Sequence, residues 1–188
     1  MKNILYINAC VRQHSRTRQL AEYYLKRYED KEQYQIRELK LEDCGLLPMN
    51  AEMLSQRDQL IAAGDYDHEI FAAARAFAQA DEIVLAAPYW DLSFPASVKV
   101  FIEHITVCGL TFVYTDQGYP KGLCKAGSFT YITSSGGQIG PYDYGYQYIE
   151  TMVKGMYGIP TVKRYAAEGL DVYGADVEGI LSEVKKEM

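Results

Sequence analysis

Short apolar runs and amphipathic stretches alternate along the chain, beginning with KNILYINA at residues 2–9. A run that is apolar on both faces is typical of a central strand in a parallel sheet. Four more strands are predicted: QYQIREL (33–39), EIVLAAP (82–88), KAGSFTYITSS (125–135) and TVKRYAAEG (161–169). The alternating run at 33–39 favours a position nearer the sheet edge, because alternation indicates a strand with one polar face.

Helices are predicted between these strands. The stretch 15–30 begins with the plausible N-cap Ser15 and repeats apolar residues at helical spacing, including Leu20 and Tyr24. Pro95 suits the first turn of a helix at 95–105. The remaining helices are expected at 51–80 with a break near 62–67, at about 143–156 and at about 174–187, while 43–50 is expected to be a loop.

The strict alternation of strands and helices predicts an α/β fold, with a parallel sheet covered by helices on both faces. Five strands in 188 residues favour the flavodoxin-like form of the doubly wound fold, in a single domain spanning 1–188. In such sheets the ligand binds beyond the carboxyl ends of the strands, near the point where strand order reverses. The loops after strands one, three and four are therefore the candidate site.

Composition narrows the class of function. The net charge of −6 disfavours nucleic-acid binding, which needs a basic face. Apolar runs fall short of the ~20 residues of a membrane helix, and the first run is too short for a secretory signal, so no membrane partner is expected. The four cysteines form no CxxC motif and are typical of reduced thiols, which favours a cytoplasmic location.

The loop after strand one, NACVRQHSRTRQL (8–20), has the chemistry of a phosphate site. Ser15, Arg16 and Thr17 would lie at a helix N-terminus, where free N–H groups and the helix dipole favour an anion. The loop lacks both GxGxxG and GxxxxGK[ST], so neither a dinucleotide bound in Rossmann style nor ATP is its natural ligand. The alternative is an ordinary capped helix with a solvated basic first turn.

The other two loops are PYWDL (88–92) and TSSGGQIGPYDYGYQY (133–148). Tyr89, Trp90 and Leu92 supply flat apolar surface, and Gly136 and Gly137 allow the backbone to approach a flat ligand. A phosphate at the first loop and a planar ring between the other two together describe FMN, whose reduction requires fixed hydrogen-bond donors. The alternative for Trp90 is a packed aromatic side chain beneath a loop.

The sequence resembles the flavodoxin-like NAD(P)H:quinone oxidoreductases, and most of all the FMN-dependent NADH-azoreductases. The matching segments are SRT (15–17), PYWDL (88–92), CGLTFVYTDQGYPKGL (108–123) and TSSGG (133–137). They occur in the family's order and cover nearly the whole chain.

The resemblance implies a homodimer with FMN near the subunit interface. It implies ping-pong hydride transfer from NADH or NADPH to the flavin, followed by two-electron transfer to a quinone or azo compound, without a protein nucleophile. The implied FMN-binding residues are Cys10, Ser15, Arg16, Thr17, Tyr89, Trp90, Asp91, Leu92, Ser134, Ser135, Gly136 and Gly137.

Two of these positions depart from the family pattern. Family members often have Ser at the position of Cys10, so the cysteine of this chain weakens one phosphate donor. Many members have Asn at the position of Asp91. An ionised Asp91 near the flavin would disfavour the reduced anion and lower its potential. Cys10 could also be a reactive thiol near a helix N-terminus, where pKa values fall, or could simply pack beside the flavin.

The run GPYDYGYQY (140–148) places aromatic residues where the substrates would stack. Tyr142 and Tyr144 are the candidate catalytic residues, because a hydroxyl could donate to a quinone oxygen as negative charge builds there. The alternative is that they cover the dimer interface. His104 and Cys108 share a helix face, but without a second pair of ligands no metal is expected.

Two other classes of function remain open. A flavodoxin-type electron carrier would bind FMN without a substrate pocket of its own, although such carriers have phosphate loops unlike SRT and lack the segment at 111–123. An NADPH-dependent FMN reductase would instead use free FMN as a turnover substrate.

Overall fold

The structure, a computed structural model, describes residues 1–29 and 31–188. The strands are β1 (Lys2–Asn8), β2 (Tyr34–Lys40), β3 (Glu82–Ala86), β4 (Phe112–Tyr114), β5 (Pro120–Gly122), β6 (Ser128–Ser134) and β7 (Thr161–Ala167). The α-helices are α1 (Arg16–Glu29), α2 (Ala51–Ala63), α3 (Ala72–Gln79), α4 (Ala96–Ile105), α5 (Tyr144–Thr151) and α6 (Val177–Glu187). The end expected for the first helix, at position 30, lies outside the described residues.

The main sheet has five strands, all parallel, in the order β2-β1-β3-β6-β7. This order confirms the predicted flavodoxin-like sheet, and β2 is an edge strand as expected. Strand order reverses at β1, which pairs with β2 on one side and with β3 on the other. The carboxyl ends of β1 and β3 therefore flank the position where such sheets bind ligands.

Two hydrophobic cores cover the two faces of this sheet. Leu5 and Ile7 of β1 face the core that contains residues of α3 and α4, whereas Ile4 and Tyr6 face the core formed with α1 and α6. Successive residues of one strand enter opposite cores because side chains alternate across a sheet. This explains why the central strands read as continuous apolar runs.

Helix α2 begins and ends where the sequence indicates. The Asn50 side chain accepts a hydrogen bond from the N–H of Met53 at 2.9 Å, and Gly64 ends the helix in the left-handed conformation with φ 69°. A 3₁₀ turn at Glu69–Phe71 then leads into α3, which confirms the predicted break. No residue of α2 is fully buried, so this helix lies on the surface. Among the described residues, no helix is long and apolar enough to cross a bilayer.

The antiparallel hairpin β4–β5 was absent from the sequence-based prediction. Its strands have only three residues each, too few for the alternation of apolar and polar residues that identifies a strand. It packs on a π-helical turn, Met152–Met156, that continues α5. Gly122 makes this contact possible, because a Cβ at this position would lie 2.1 Å from the carbonyl carbon of Tyr157.

We expect Gly122→Ala to destabilise the protein by about 1–3 kcal/mol, because the added methyl group would force two backbone segments apart. Gly127→Ala is the matched control, since no atom lies within 4 Å of the Cβ position there and φ is not in the left-handed range. Urea unfolding of both variants measures the effect. Equal midpoints for the two variants would contradict the close contact at Gly122.

Candidate functional site

Helix α1 begins beside the carboxyl end of β1. The hydroxyl oxygen of Ser15 accepts a hydrogen bond from the N–H of Arg18 at 3.2 Å, which confirms Ser15 as the N-cap. The N–H groups of Arg16 and Thr17 belong to the first turn, where an α-helix offers no intrahelical acceptor. With the helix dipole, this turn is suited to an anion.

Thr17 connects the first loop to the loop after β6. Its side chain is fully buried, and its Oγ1 lies 2.7 Å from Oγ of Ser134. One hydroxyl donates to the other, so the accepting hydroxyl keeps a proton for a further acceptor. The predicted phosphate loop and the predicted flavin loop are therefore in direct contact.

The loop after β3 contains a tight turn with strained backbone. The N–H of Trp90 donates to the carbonyl of Ser93 at 3.0 Å, and the N–H of Ser93 donates to the carbonyl of Trp90 at 2.8 Å. Asp91 and Leu92 between them both have positive φ, 50° and 66°. Left-handed backbone is unfavourable for residues other than glycine, and such strain concentrates at functional sites. The turn leaves Trp90 37% exposed.

The loop after β6 pairs with the loop after β7. The N–H of Leu170 donates to the carbonyl of Ser135 at 3.1 Å, and the N–H of Asp171 donates to the carbonyl of Gly136 at 2.9 Å. A Cβ on Gly136 would lie 2.4 Å from Oδ2 of Asp171, whereas a Cβ on Gly137 would meet no atom within 4 Å. A side chain at Gly136 would therefore displace the Asp171 carboxylate from its present position.

These four loops enclose a cleft of about 380 Å³. Nine of the twelve expected FMN-binding residues line it: Cys10, Ser15, Arg16, Thr17, Tyr89, Trp90, Ser134, Ser135 and Gly136. Asp91, Leu92 and Gly137 do not line it: the first two belong to the exposed turn after β3, and Gly137 is also exposed. The candidate catalytic residues Tyr142 and Tyr144 also lie outside the cleft, and each is about half exposed.

Sequence reasoning missed Leu170 and Asp171, which complete one wall of the cleft. They follow the fifth strand, and β7 is the neighbour of β6, so their loop emerges at the same sheet edge. That adjacency was the available signal, but no phosphate- or flavin-binding motif marks the segment. Val11 and Pro88 also line the cleft and were not singled out.

Several other cavities of about 360–510 Å³ lie outside this cleft. A polar one of about 360 Å³ borders the ends of β1 and β2 and shares His14 and Ser15 with the cleft. A more apolar one of about 490 Å³ lies beneath α2 and is lined partly by Met49 and Met53. None of these cavities is lined by residues of the aromatic loop after β3, so the cleft is the candidate site.

Cys10 is a buried residue of the cleft wall. Its thiol donates to the carbonyl of Ala86 at 3.7 Å, and its N–H donates to the side chain of Asn8 at 2.9 Å. Burial raises the pKa of the Cys10 thiol, although a hydrogen bond with Ser15 opposes the shift. The suggestion of a low-pKa reactive thiol at this position was therefore wrong, and the residue has the character of a packing group.

The Tyr-rich segment is tied to the aromatic loop. The hydroxyl of Tyr89 donates to the carbonyl of Tyr142 at 3.0 Å. Loss of hydration raises the pKa of Tyr89, with a further contribution from the charge of Asp143, so the hydroxyl keeps its proton for this bond. The rings of Tyr142 and Tyr144 have centroids 6.2 Å apart. These two aromatic side chains form one exposed patch beside the cleft.

Arg164 of β7 forms ion pairs that fix the segment carrying this patch. Its Nε lies 2.6 Å from Oδ2 of Asp143, and its Nη2 lies 3.2 Å from Oε1 of Glu168. Glu168 also accepts the N–H of Ile139 at 2.9 Å, while Asp143 accepts the N–H of Tyr146 and caps α5. Arg164 thus pairs with the carboxylate that binds the N–H of Ile139 at one end of the segment 139–143, and with the carboxylate of Asp143 at the other end.

The prediction that His104 and Cys108 share a helix face was wrong, because α4 ends at Ile105 and Cys108 lies beyond it. His104 is buried, with Nε2 2.8 Å from the carbonyl oxygen of Leu47, whereas Cys108 is exposed. His104 thus serves as a packed, hydrogen-bonded side chain.

The fold and the cleft at its switch point define a class of proteins. The model of the family described as having a flavodoxin-like fold matches residues 2–188, and the chain belongs to this family.

Relatives within this family are similar over almost their full length. The chain is 36% identical to the FMN-dependent NADH:quinone oxidoreductase of Lachnoclostridium phytofermentans, covering 99% of this chain and 96% of the relative. It is 38% identical to FMN-dependent NADH:quinone oxidoreductase 2 of Clostridium acetobutylicum, covering 96% and 93%. Among solved structures, an FMN-dependent NADH-azoreductase of Bacillus anthracis in complex with FMN has a TM-score of 0.84 at 21% identity, covering 100% and 97%, which supports the fold.

We expect Arg164→Met to destabilise the protein by about 2–4 kcal/mol, because it leaves two partly buried carboxylates without their cation. Lys125→Met is the matched control, since its ion pair with Asp81 is more exposed and should contribute about 1 kcal/mol or less. Thermal unfolding followed by circular dichroism compares the two variants. Similar losses in both would rule out a special role for the Arg164 network.

Proposed function

We propose that this chain is an FMN-dependent NADH:quinone oxidoreductase that also accepts azo compounds. The observation that carries the proposal is the cleft itself, in which the first turn of α1 meets an aromatic loop and the loop after β6. Relatives named FMN-dependent NADH:quinone oxidoreductase, similar over nearly the whole chain, support the same assignment.

The chemistry of the cleft suits FMN. A phosphate monoester requires donors and positive charge, which the first turn of α1 offers through its N–H groups, Ser15, Thr17 and Arg16. A planar ring requires flat apolar surface, which Tyr89 and Trp90 offer in the same cleft. The volume of about 380 Å³ lies in the range of small-molecule sites.

Bound FMN would supply the redox chemistry, accepting a hydride from NADH and passing two electrons to the acceptor. The chain supplies binding and orientation. Ser15, Arg16 and Thr17 would hold the phosphate from a helix that is already formed, so little reorganisation is needed. The strained turn at Asp91–Leu92 fixes the backbone beside Trp90, which remains available as an apolar wall.

Tyr142 and Tyr144 are proposed to contact the electron acceptor. Their exposed rings lie on the segment that Tyr89 and Arg164 tie to the cleft. An exposed tyrosine offers both a ring for stacking and a hydroxyl that can donate to a quinone oxygen. The alternative role, covering a subunit interface, uses the same exposed surface.

A homodimer is part of the proposal. Leu54 of α2 and Leu47 of the loop before it are exposed. Tyr114 and Tyr119 of the β4–β5 hairpin and Leu123, the next residue after it, are exposed as well. Exposed apolar side chains of this kind are available to an interaction surface. A second copy of the chain is the partner that the proposal assigns to it.

We expect the purified chain to bind one FMN, and anaerobic NADH to bleach its visible absorption. Addition of a quinone should restore the absorption and sustain NADH oxidation. Replacing Ser15 and Thr17 together by Ala removes two hydroxyl partners of a charged group, each contributing about 1.5–3 kcal/mol, so FMN affinity should fall by at least about 100-fold.

Three outcomes would contradict parts of this proposal. Bleaching without steady quinone-dependent oxidation would identify an electron carrier. Dependence on free FMN as a consumed substrate would identify an FMN reductase. Unchanged FMN affinity in the Ser15→Ala, Thr17→Ala variant would contradict the assignment of the phosphate site to the first turn of α1.

Tyr144→Ala should lower kcat/KM for the quinone by about 3- to 10-fold, because a stacking contact contributes about 0.5–1.5 kcal/mol. FMN content and the mass of the assembly in light scattering should stay unchanged. Tyr23→Ala is the control. Tyr23 is similarly exposed, but it lies on α1, far along the sequence from the Tyr-rich segment. Loss of the dimer with normal quinone turnover would place Tyr144 at the interface instead.

A further inference from the structure

We propose that Asp171 competes with the FMN phosphate for Arg16, and that this carboxylate limits how tightly the cleft holds a phosphorylated flavin. The inference rests on the proposed binding of FMN in this cleft. It assigns a role in ligand affinity to a loop that contains no phosphate- or flavin-binding motif.

Asp171 is held in place from two sides. Its N–H donates to the carbonyl of Gly136 at 2.9 Å, and its carboxylate fills the position of a side chain on Gly136. The neighbouring Leu170 donates its N–H to Ser135 at 3.1 Å. The loop after β6 therefore fixes the backbone of Asp171, while its carboxylate is held by its ion partner.

That ion partner is a cation of the proposed phosphate site. Nη1 of Arg16 lies 2.7 Å from Oδ1 of Asp171, and both residues line the cleft with Ser15 and Thr17. Arg16 occupies the first turn of α1, where the free N–H groups favour an anion. A phosphate at this turn must share the guanidinium with the carboxylate or displace it.

Asp171 is also the one carboxylate among the described residues that line this cleft. A phosphate group bound there would carry up to two negative charges and would repel it. The side chains of Arg16 and Asp171 are 38% and 69% exposed, so water screens the interaction and a modest effect is expected. Removing this one charge should therefore strengthen the binding of a phosphorylated ligand and leave an unphosphorylated one unaffected.

A different role would give the opposite sign. If Asp171 served only to orient Arg16 toward the phosphate, its removal would weaken FMN binding. The two roles are therefore distinguished by the direction of change in one dissociation constant.

The test is Asp171→Asn, which keeps the shape of the side chain and an oxygen acceptor for Arg16 while removing the charge. Flavin-free protein is titrated with FMN and with riboflavin, and quenching of flavin fluorescence gives each Kd. We expect the Kd for FMN to fall about 3- to 10-fold in low salt, with no change for riboflavin. In 0.5 M salt the difference should shrink, because salt screens exposed charges.

Glu32→Gln is the matched control, because it makes the same change in net charge on the exposed loop before β2, at the opposite edge of the sheet. An unchanged or weaker FMN affinity in Asp171→Asn would overturn the inference, as would equal tightening for riboflavin. Failure of the unaltered chain to bind FMN would instead overturn the proposed function.

Discussion

The position of β1 between two strands that lead away in opposite directions is the constraint on which the site depends. Because β1 pairs with β2 on one side and β3 on the other, the connections after β1 and β3 cover opposite faces of the sheet. A crevice must then open at the carboxyl ends of these strands. The first turn of α1 and the aromatic turn after β3 reach the same cleft for this reason.

Contacts between loops, more than contacts within them, give the cleft its shape. The hydroxyl pair of Thr17 and Ser134 joins the first loop to the loop after β6, and backbone hydrogen bonds from 170–171 extend the wall. Tyr89 connects the aromatic loop to Tyr142, and Arg164 pairs with Asp143 and Glu168, the carboxylates at the two ends of 139–143. A ligand would meet a site whose walls are already bonded to one another, and this reduces the ordering cost of binding.

Charge within the cleft is partly compensated by the protein itself. Although the net charge of the chain is −6, Arg12 and Arg16 both line the cleft. The Asp171 carboxylate lies 2.7 Å from the guanidinium of Arg16. An anion site with an internal counter-charge binds less tightly than the count of arginines suggests. Under the proposed function, affinity for the FMN phosphate would be a balance between the helix terminus and this carboxylate.

The sequence by itself determined the order and type of the main elements, because apolar periodicity and capping residues act locally. Ser15 as the N-cap and the break after α2 could be read directly, and the parallel sheet followed from the alternation of strands and helices. Most of the cleft residues were also predictable, since the carboxyl ends of neighbouring strands must meet. Only the tertiary structure decided the rest. The hairpin at β4–β5 depends on backbone contact with a distant π-helical turn, and the Asp171 carboxylate lies against Gly136 across 35 positions of sequence. Such contacts join residues that carry no local signal for each other, so their energy appears only when the chain is folded.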